Sequence, residues 1–256
     1  MKLNNKQKIF LTLVIFIIIV LAFVGSYFFL INRGSQPAPV IPTPDKIKIL
    51  SYNINHGEDS AGGYGLKEII EIIKRENPDF VTLNDVDNKA VRTYREDQAR
   101  KIAGNLGMFF TFGKTSALEG GWNGNAILSR YPLIFAENRF YKDYPGDENQ
   151  AFLHGVFRAG EKEIHIYTTE LASDAEIAEK QNQELIDNIV DEMAQNAVND
   201  PLFLTGSFNL NYDHVGIKGM KNYFENTTVK SSFTDKLTWP AHSPKYQYDI
   251  YFSGKT

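Results

Sequence analysis

Apolar residues run from Ile9 to Ile31 as IFLTLVIFIIIVLAFVGSYFFLI, 23 positions without a charge. A helix needs about 20 such residues to cross a bilayer, so the pattern predicts a transmembrane segment over 9–31. Residues 32–45 follow as a linker, in which GSQPAPVIPTPD (34–45) carries four prolines and neither helical nor strand periodicity, the mark of a semi-rigid spacer. From Lys46 onward the pattern changes. KIKILSYNI (46–54) is a β-rich run, and Leu66, Ile69, Ile70 and Ile73 share one face of a helix over 66–75. Asn77-Pro78 ends that helix, DFVTL (79–83) reads as a buried strand, and a second helix is predicted from Arg95 to Leu106, stopped by Gly107. Further strands are predicted at 108–112, 125–129, 151–158 and 163–169. Ser173 is the expected cap of a long polar helix ending near Asn196, PLFLT (201–205) is a strand ending at Gly206, and 248–253 is a last strand. Helices interspersed with strands place residues 46–256 in one α/β domain.

Charge orients this arrangement. Lys2, Lys6 and Lys8 precede the apolar segment and only Arg33 follows closely, so residues 1–8 are expected in the cytoplasm and the domain on the extracytoplasmic side. A cleaved signal peptide would have a shorter apolar core and a small-residue finish, whereas this segment ends Phe28-Phe29-Leu30-Ile31. The chain has 27 basic and 31 acidic residues, and residues 1–45 hold four of the former and one of the latter, which leaves the domain 23 basic against 30 acidic. A domain that negative is a poor general binder of nucleic acid, which draws on positive charge. With no cysteine and five histidines, a metal would have to sit on carboxylate, amide or imidazole. Nothing in the composition sets an oligomeric state.

Four segments occur in a distinctive order: SYNINHG (51–57), PDFVTLNDVD (78–87), GWNGNAILSRYPL (121–133) and PLFLTGSFN (201–209). With IYTTEL (166–171) and TWPAHSPKYQYDIYF (238–252), the set resembles the endonuclease/exonuclease/phosphatase superfamily of metal-dependent phosphoesterases over nearly all of 46–252. The resemblance implies two packed mixed β-sheets flanked by helices, a site where strand-end loops converge, and hydrolysis of a phosphoester by water with Mg²⁺. That ion suits carboxylate oxygens plus water and phosphate.

Carried over by position, the resemblance places Asn53 beside the metal or the phosphate, as a substrate-binding residue with Asn125, Asp85 at the metal position and Asn209 beside phosphate or nucleophile. Asp85 stands where the family has a glutamate, and Asn84 where it has a glutamine. Two catalytic positions depart further. Glu170 stands where the family has histidine, and Ser207 where it has the aspartate that orients or deprotonates the attacking water. The family's final Ser-Asp-His segment has no counterpart before Thr256, so a C-terminal strand is expected to be missing and a sheet edge exposed.

Three functional readings follow. The leading one is a membrane-anchored domain of the phosphoesterase fold that is inactive or impaired and is retained for binding a phosphoester ligand or a partner. The second is an active hydrolase with a rearranged site, in which Asp85 and Glu170 hold the metal and His56 or His214 supplies a proton. The third is an interaction module that pairs through its open sheet edge.

Overall fold

The computed structural model describes residues 17, 19–21, 46–59, 62–142, 149–196, 200–211, 214–226 and 249–254. The chain divides into two units, Met1–Val40 and Ile41–Thr256. Of the first, residues 17 and 19–21 are helical, and the rest of the expected span 9–31 lies outside the described residues. Among the described residues no helix is long and apolar enough to cross a membrane.

The second unit holds two mixed sheets. One contains β1 (Ile49–Asn53), β2 (Phe80–Asn88), β4 (Gly121–Ser129) and β3 (Phe109–Leu118), in that order. The other is ordered β5 (Leu133–Phe140), β6 (Ala151–Ala159), β7 (Lys162–Glu170), β8 (Leu202–Ser207), β10 (Asp249–Gly254) and β9 (Phe224–Asn226). The parallel pairs are β1 with β2 and β7 with β8; the remaining pairings are antiparallel.

Strand alternation dictates the layers, because successive side chains point to opposite faces. Phe80 and Ile127 from the first sheet meet Leu153, Phe157, Ile164 and Ile166 from the second in a fully buried middle layer. On the outer face of the first sheet, Val81, Leu83 and Leu128 pack against Ile69, Ile70 and Ile73 of α1 (Leu66–Glu76) and Ile102 of α2 (Gln98–Leu106). On the outer face of the second, Tyr167, Leu202 and Leu204 pack against Ala178, Leu185 and Ile189 of α3 (Ala175–Asn196).

Several expectations are corrected. The cap of α3 is Asp174 rather than Ser173: its Oδ1 accepts from the backbone N–H groups of Glu176 and Ile177, both at 3.0 Å. The strand expected to stop at Leu83 runs on to Asn88 through a bulge, so Asp85 lies within β2 instead of ending it. Strand β5, the short helix α4 (Val215–Gly219) and the three-residue β9 carry no sequence signal of their own. β5 reads LIFAENRF, and its apolar residues Leu133 to Ala136 form one continuous run rather than alternating with polar ones.

Candidate functional site

Parallel pairing brings the ends of β1, β7 and β8 to one end of the sheets, beside the middle of β2. Asn53 is the register partner of Asn84, and Glu170 of Ser207. Across the junction between the sheets, Asn53 Nδ2 donates to Glu170 Oε1 at 3.0 Å and to Ser207 Oγ at 3.4 Å. Asn53 Oδ1 accepts from the backbone N–H of Asn55 at 3.0 Å, which starts the tight turn Asn55–Gly57. Three of the sequence-predicted site residues are thus joined by hydrogen bonds although they lie 117 and 154 positions apart. Asn209 is tied to the same end. Its Nδ2 donates to the backbone carbonyl of Leu171, and the Leu171 N–H donates to Ser207 O.

The bulge in β2 decides what happens to the neighbouring pair. Between the register pairs Leu83–Ala126 and Val86–Gly124, two residues, Asn84 and Asp85, oppose the single Asn125. Asp85 takes a left-handed φ of 52°, which turns its side chain towards the Asn55–Gly57 turn, while Asn84 stays fully buried. Asn84 Nδ2 donates to Asn125 Oδ1 at 2.7 Å and to Thr168 Oγ1 at 3.3 Å, and Asn125 Nδ2 donates to the Ala151 carbonyl at 2.9 Å. Asn125, 1% exposed, therefore underpins the junction from within and does not line its surface.

Asp85 is met from three sides. Asn123 Nδ2 donates to Oδ1 at 2.6 Å, His56 Nδ1 lies 3.2 Å from Oδ2, and Arg92 Nη2 is 3.6 Å away. The other ring nitrogen of His56 faces Glu58 Oε2 at 3.0 Å. Beneath this group the Asp87 carboxylate, wholly buried, receives both prongs of Arg92 at 2.7 and 2.8 Å, with further donors from Asn123 and Thr93. Burial raises the Asp87 pKa, but the bonds from Arg92 and Asn123, the Arg92 charge and the Thr93 hydroxyl outweigh it and hold the carboxyl below its usual range. Gln98, also fully buried, receives the Asp87 N–H on Oε1 and donates Nε2 to the His56 carbonyl, both at 2.7 Å, clamping the turn to β2. Asp87, Arg92, Gln98 and Asn123 were not among the sequence candidates. Asp87 and Asn123 each stand two positions from a residue that was, on the same face of their strands.

His214 takes no part in this group. Its Nδ1 accepts from the Gly216 N–H at 3.3 Å and caps α4, so it is a structural cap and not a spare proton donor.

For a hard divalent ion the relevant donors are Asp85, 24% exposed at its side chain, and the half-buried Glu170 on the far side of Asn53. An ionised carboxylate has about four lone-pair directions, so each Asp85 oxygen that meets Asn123 or His56 keeps one more. The chemistry of this donor set fits an oxygen-seeking ion.

The family model described as Endonuclease/Exonuclease/phosphatase family matches residues 50–251. No curated protein sequence matches the chain. Among solved structures, a mannosyl-6-phosphatase from Bacteroides thetaiotaomicron VPI-5482 superposes with a TM-score of 0.66 at 14% identity, covering 82% of this chain and 86% of that one. The human Nocturnin catalytic domain with bound sulfate gives 0.64 at 18% identity, covering 82% of each. An endonuclease/exonuclease/phosphatase from Beutenbergia cavernae DSM 12333 gives 0.62 at 17% identity, covering 81% of this chain, which spans 64% of that longer one.

Proposed function

The chain belongs to the endonuclease/exonuclease/phosphatase family, and on that premise we propose that residues 46–256 form a phosphoester-binding domain whose own hydrolytic activity is lost or much reduced, tethered on the outer side of a membrane by residues 9–31. One observation carries this reading: the hydrogen-bonded group at the sheet junction is Asn53, Glu170 and Ser207. The resemblance implies an imidazole at position 170 and a carboxylate at 207. An anion at 170 repels a phosphoryl oxygen where an imidazolium would hold it. A serine hydroxyl at 207 cannot deprotonate a water, and loss of such general acid-base help costs about 10²–10⁴ in rate per group.

Binding is the part that survives. Asn53 and Asn209 keep the junction in shape, and Asp85 is the residue that would hold Mg²⁺. When bound, that ion would polarise a phosphoryl oxygen and neutralise charge. The sulfate on the human Nocturnin catalytic domain supports the idea that this fold accepts tetrahedral oxyanions.

A second reading, an active hydrolase with a rearranged site, is favoured by the His56–Asp85 pair and by the left-handed backbone at Asn55, His56, Asp85 and Asn209. Such strain in non-glycine residues gathers at functional sites. Against it, both His56 ring nitrogens face carboxylates, so neither directs a proton at a leaving group. The test is an assay of the purified full chain with Mg²⁺ or Mn²⁺ on plasmid DNA, RNA and a generic phosphodiester. The expected result is no turnover above background. Turnover that Asp85→Ala and Asn209→Ala each abolish would refute the inactive reading and establish the second.

A further inference from the structure

A second group of metal-binding side chains lies away from that junction, under helix α3. His154 of β6 faces Tyr167 of β7 in register, His165 precedes Tyr167 by two positions on the same face, and Glu192 reaches them from the last part of α3. His165 stands five residues from Glu170 along β7, so roughly 16 Å of strand at about 3.3 Å per residue separates this group from the junction. We propose that His154, His165 and Glu192 form a binding site for a divalent transition-metal ion of zinc's type.

The geometry is that of ligands sharing a centre. One ligand atom from each of the three lies within 4.8 Å of the others, and this is the sole such trio among the described residues. His154 Nε2 and His165 Nδ1 are 3.1 Å apart. Two nitrogens on a tetrahedral zinc, each at about 2.0–2.1 Å, are separated by roughly 3.3 Å.

Hydrogen bonding alone leaves the group unresolved. His154 is 1% exposed, and its Nδ1 has no hydrogen-bond partner although Glu192 Oε1 is 3.4 Å away. If Nε2 carries the ring proton towards His165, Nδ1 turns a lone pair on a carboxylate. If Nδ1 carries it, that buried N–H makes no properly directed bond. An ion shared with His165 Nδ1 would take the Nε2 lone pair of His154, which fixes the ring proton on Nδ1, facing the Glu192 carboxylate. Buried polar atoms without partners are rare enough in native proteins to call for an explanation of this sort.

The surroundings hold the imidazoles ready. The His154 ring stacks on Tyr167 at 4.0 Å and 7° and meets the edge of Phe135 at 5.7 Å, so its orientation is fixed. The Tyr167 hydroxyl is hydrogen-bonded to Glu192 and so positions that carboxylate. Burial, chiefly, with lesser contributions from His165 and Arg139, lowers the His154 pKa to about 3, and burial lowers that of His165, so a metal has no proton to displace. The nearby Arg139 guanidinium is occupied by Glu137 at 2.8 Å and Asn188 at 3.0 Å. Glu192, 20% exposed, provides the route from solvent. Two imidazoles and one carboxylate select zinc-like ions over Mg²⁺, which prefers oxygen and resists dehydration.

The test uses the purified full chain stripped with a chelator. Zn²⁺ is titrated against a chromophoric competitor in excess Mg²⁺, which occupies oxygen-only sites. One equivalent is expected to bind, and His165→Gln and Glu192→Gln should each weaken it by at least about tenfold. Co²⁺ in place of Zn²⁺ should give the unmodified chain a visible ligand-field absorption band, a readout that does not depend on any variant folding. No Zn²⁺ binding, binding equally strong in both variants, or a colourless Co²⁺ form would each overturn the proposal.

Discussion

At the scale of single residues, the site is built from side chains whose neighbours, rather than identities, set their roles. Asn125 and Asn209 look alike in the sequence, yet one is buried beneath the junction with its amide on Ala151 and the other sits at the rim on Leu171. Glu96 shows how far a partly exposed charge can matter. It accepts from Tyr64 Oη at 2.7 Å and pairs with Lys101. Burial raises its pKa, but the bonds from Lys101 and Tyr64 and the Lys101 charge prevail and lower it. A carboxyl that is more acidic when folded stabilises the protein above its unfolded pKa, about 4.3, and that contribution disappears as the pH falls through the lowered folded value. Glu96→Gln should therefore cost less than about 1 kcal/mol at pH 7, since the pair is partly solvated. The gap from the parent chain should close below about pH 4, as urea denaturation at several pH values would show. A constant gap across that range would contradict this account.

At the scale of elements, the parallel pair β7–β8 sets the spacing of Glu170 and Ser207. Gly206 makes their close approach feasible: its φ is 140°, and a Cβ there would lie 2.0 Å from the Thr169 carbonyl oxygen. Gly206→Ala should destabilise the domain by roughly 2–4 kcal/mol, through backbone strain and forced separation of the strands. Thermal unfolding of the variant checks this, and a melting temperature equal to the parent's would show that β8 can move without cost. Most elements were legible because their period is local: the helix face Leu66, Ile69, Ile70 and Ile73 is buried as its spacing requires. The bulge at Asn84–Asp85 was not, because it arises from the register of β2 against β4, two strands about 40 residues apart. β5 was missed for a related reason. It is a half-exposed edge strand without polar–apolar alternation, and its strand state depends on pairing with β6.

At the scale of the whole molecule, an apolar N-terminal segment and a folded α/β unit remain distinct in chemistry. If residues 9–31 anchor the chain, it should stay with the membrane pellet under alkaline carbonate extraction, and protease added outside intact cells should reach the domain. Release into the supernatant would remove the anchor from the picture. By itself the sequence determined the apolar span, the proline-rich spacer, most strands and helices, and the family, since these rest on local periodicity, composition and ordered motifs. It also marked Asn53, Asp85, Glu170, Ser207 and Asn209 as residues of interest. The tertiary structure alone decided that Asn53 bridges to Glu170 and Ser207, that Asp85 turns to His56 and Asn123, that Arg92 and Gln98 brace them, and that His154, His165 and Glu192 meet under α3. Apart from the Arg92 pairing, those contacts join residues far apart in the chain, and they exist because strand register and helix packing close the distance, which no local pattern encodes.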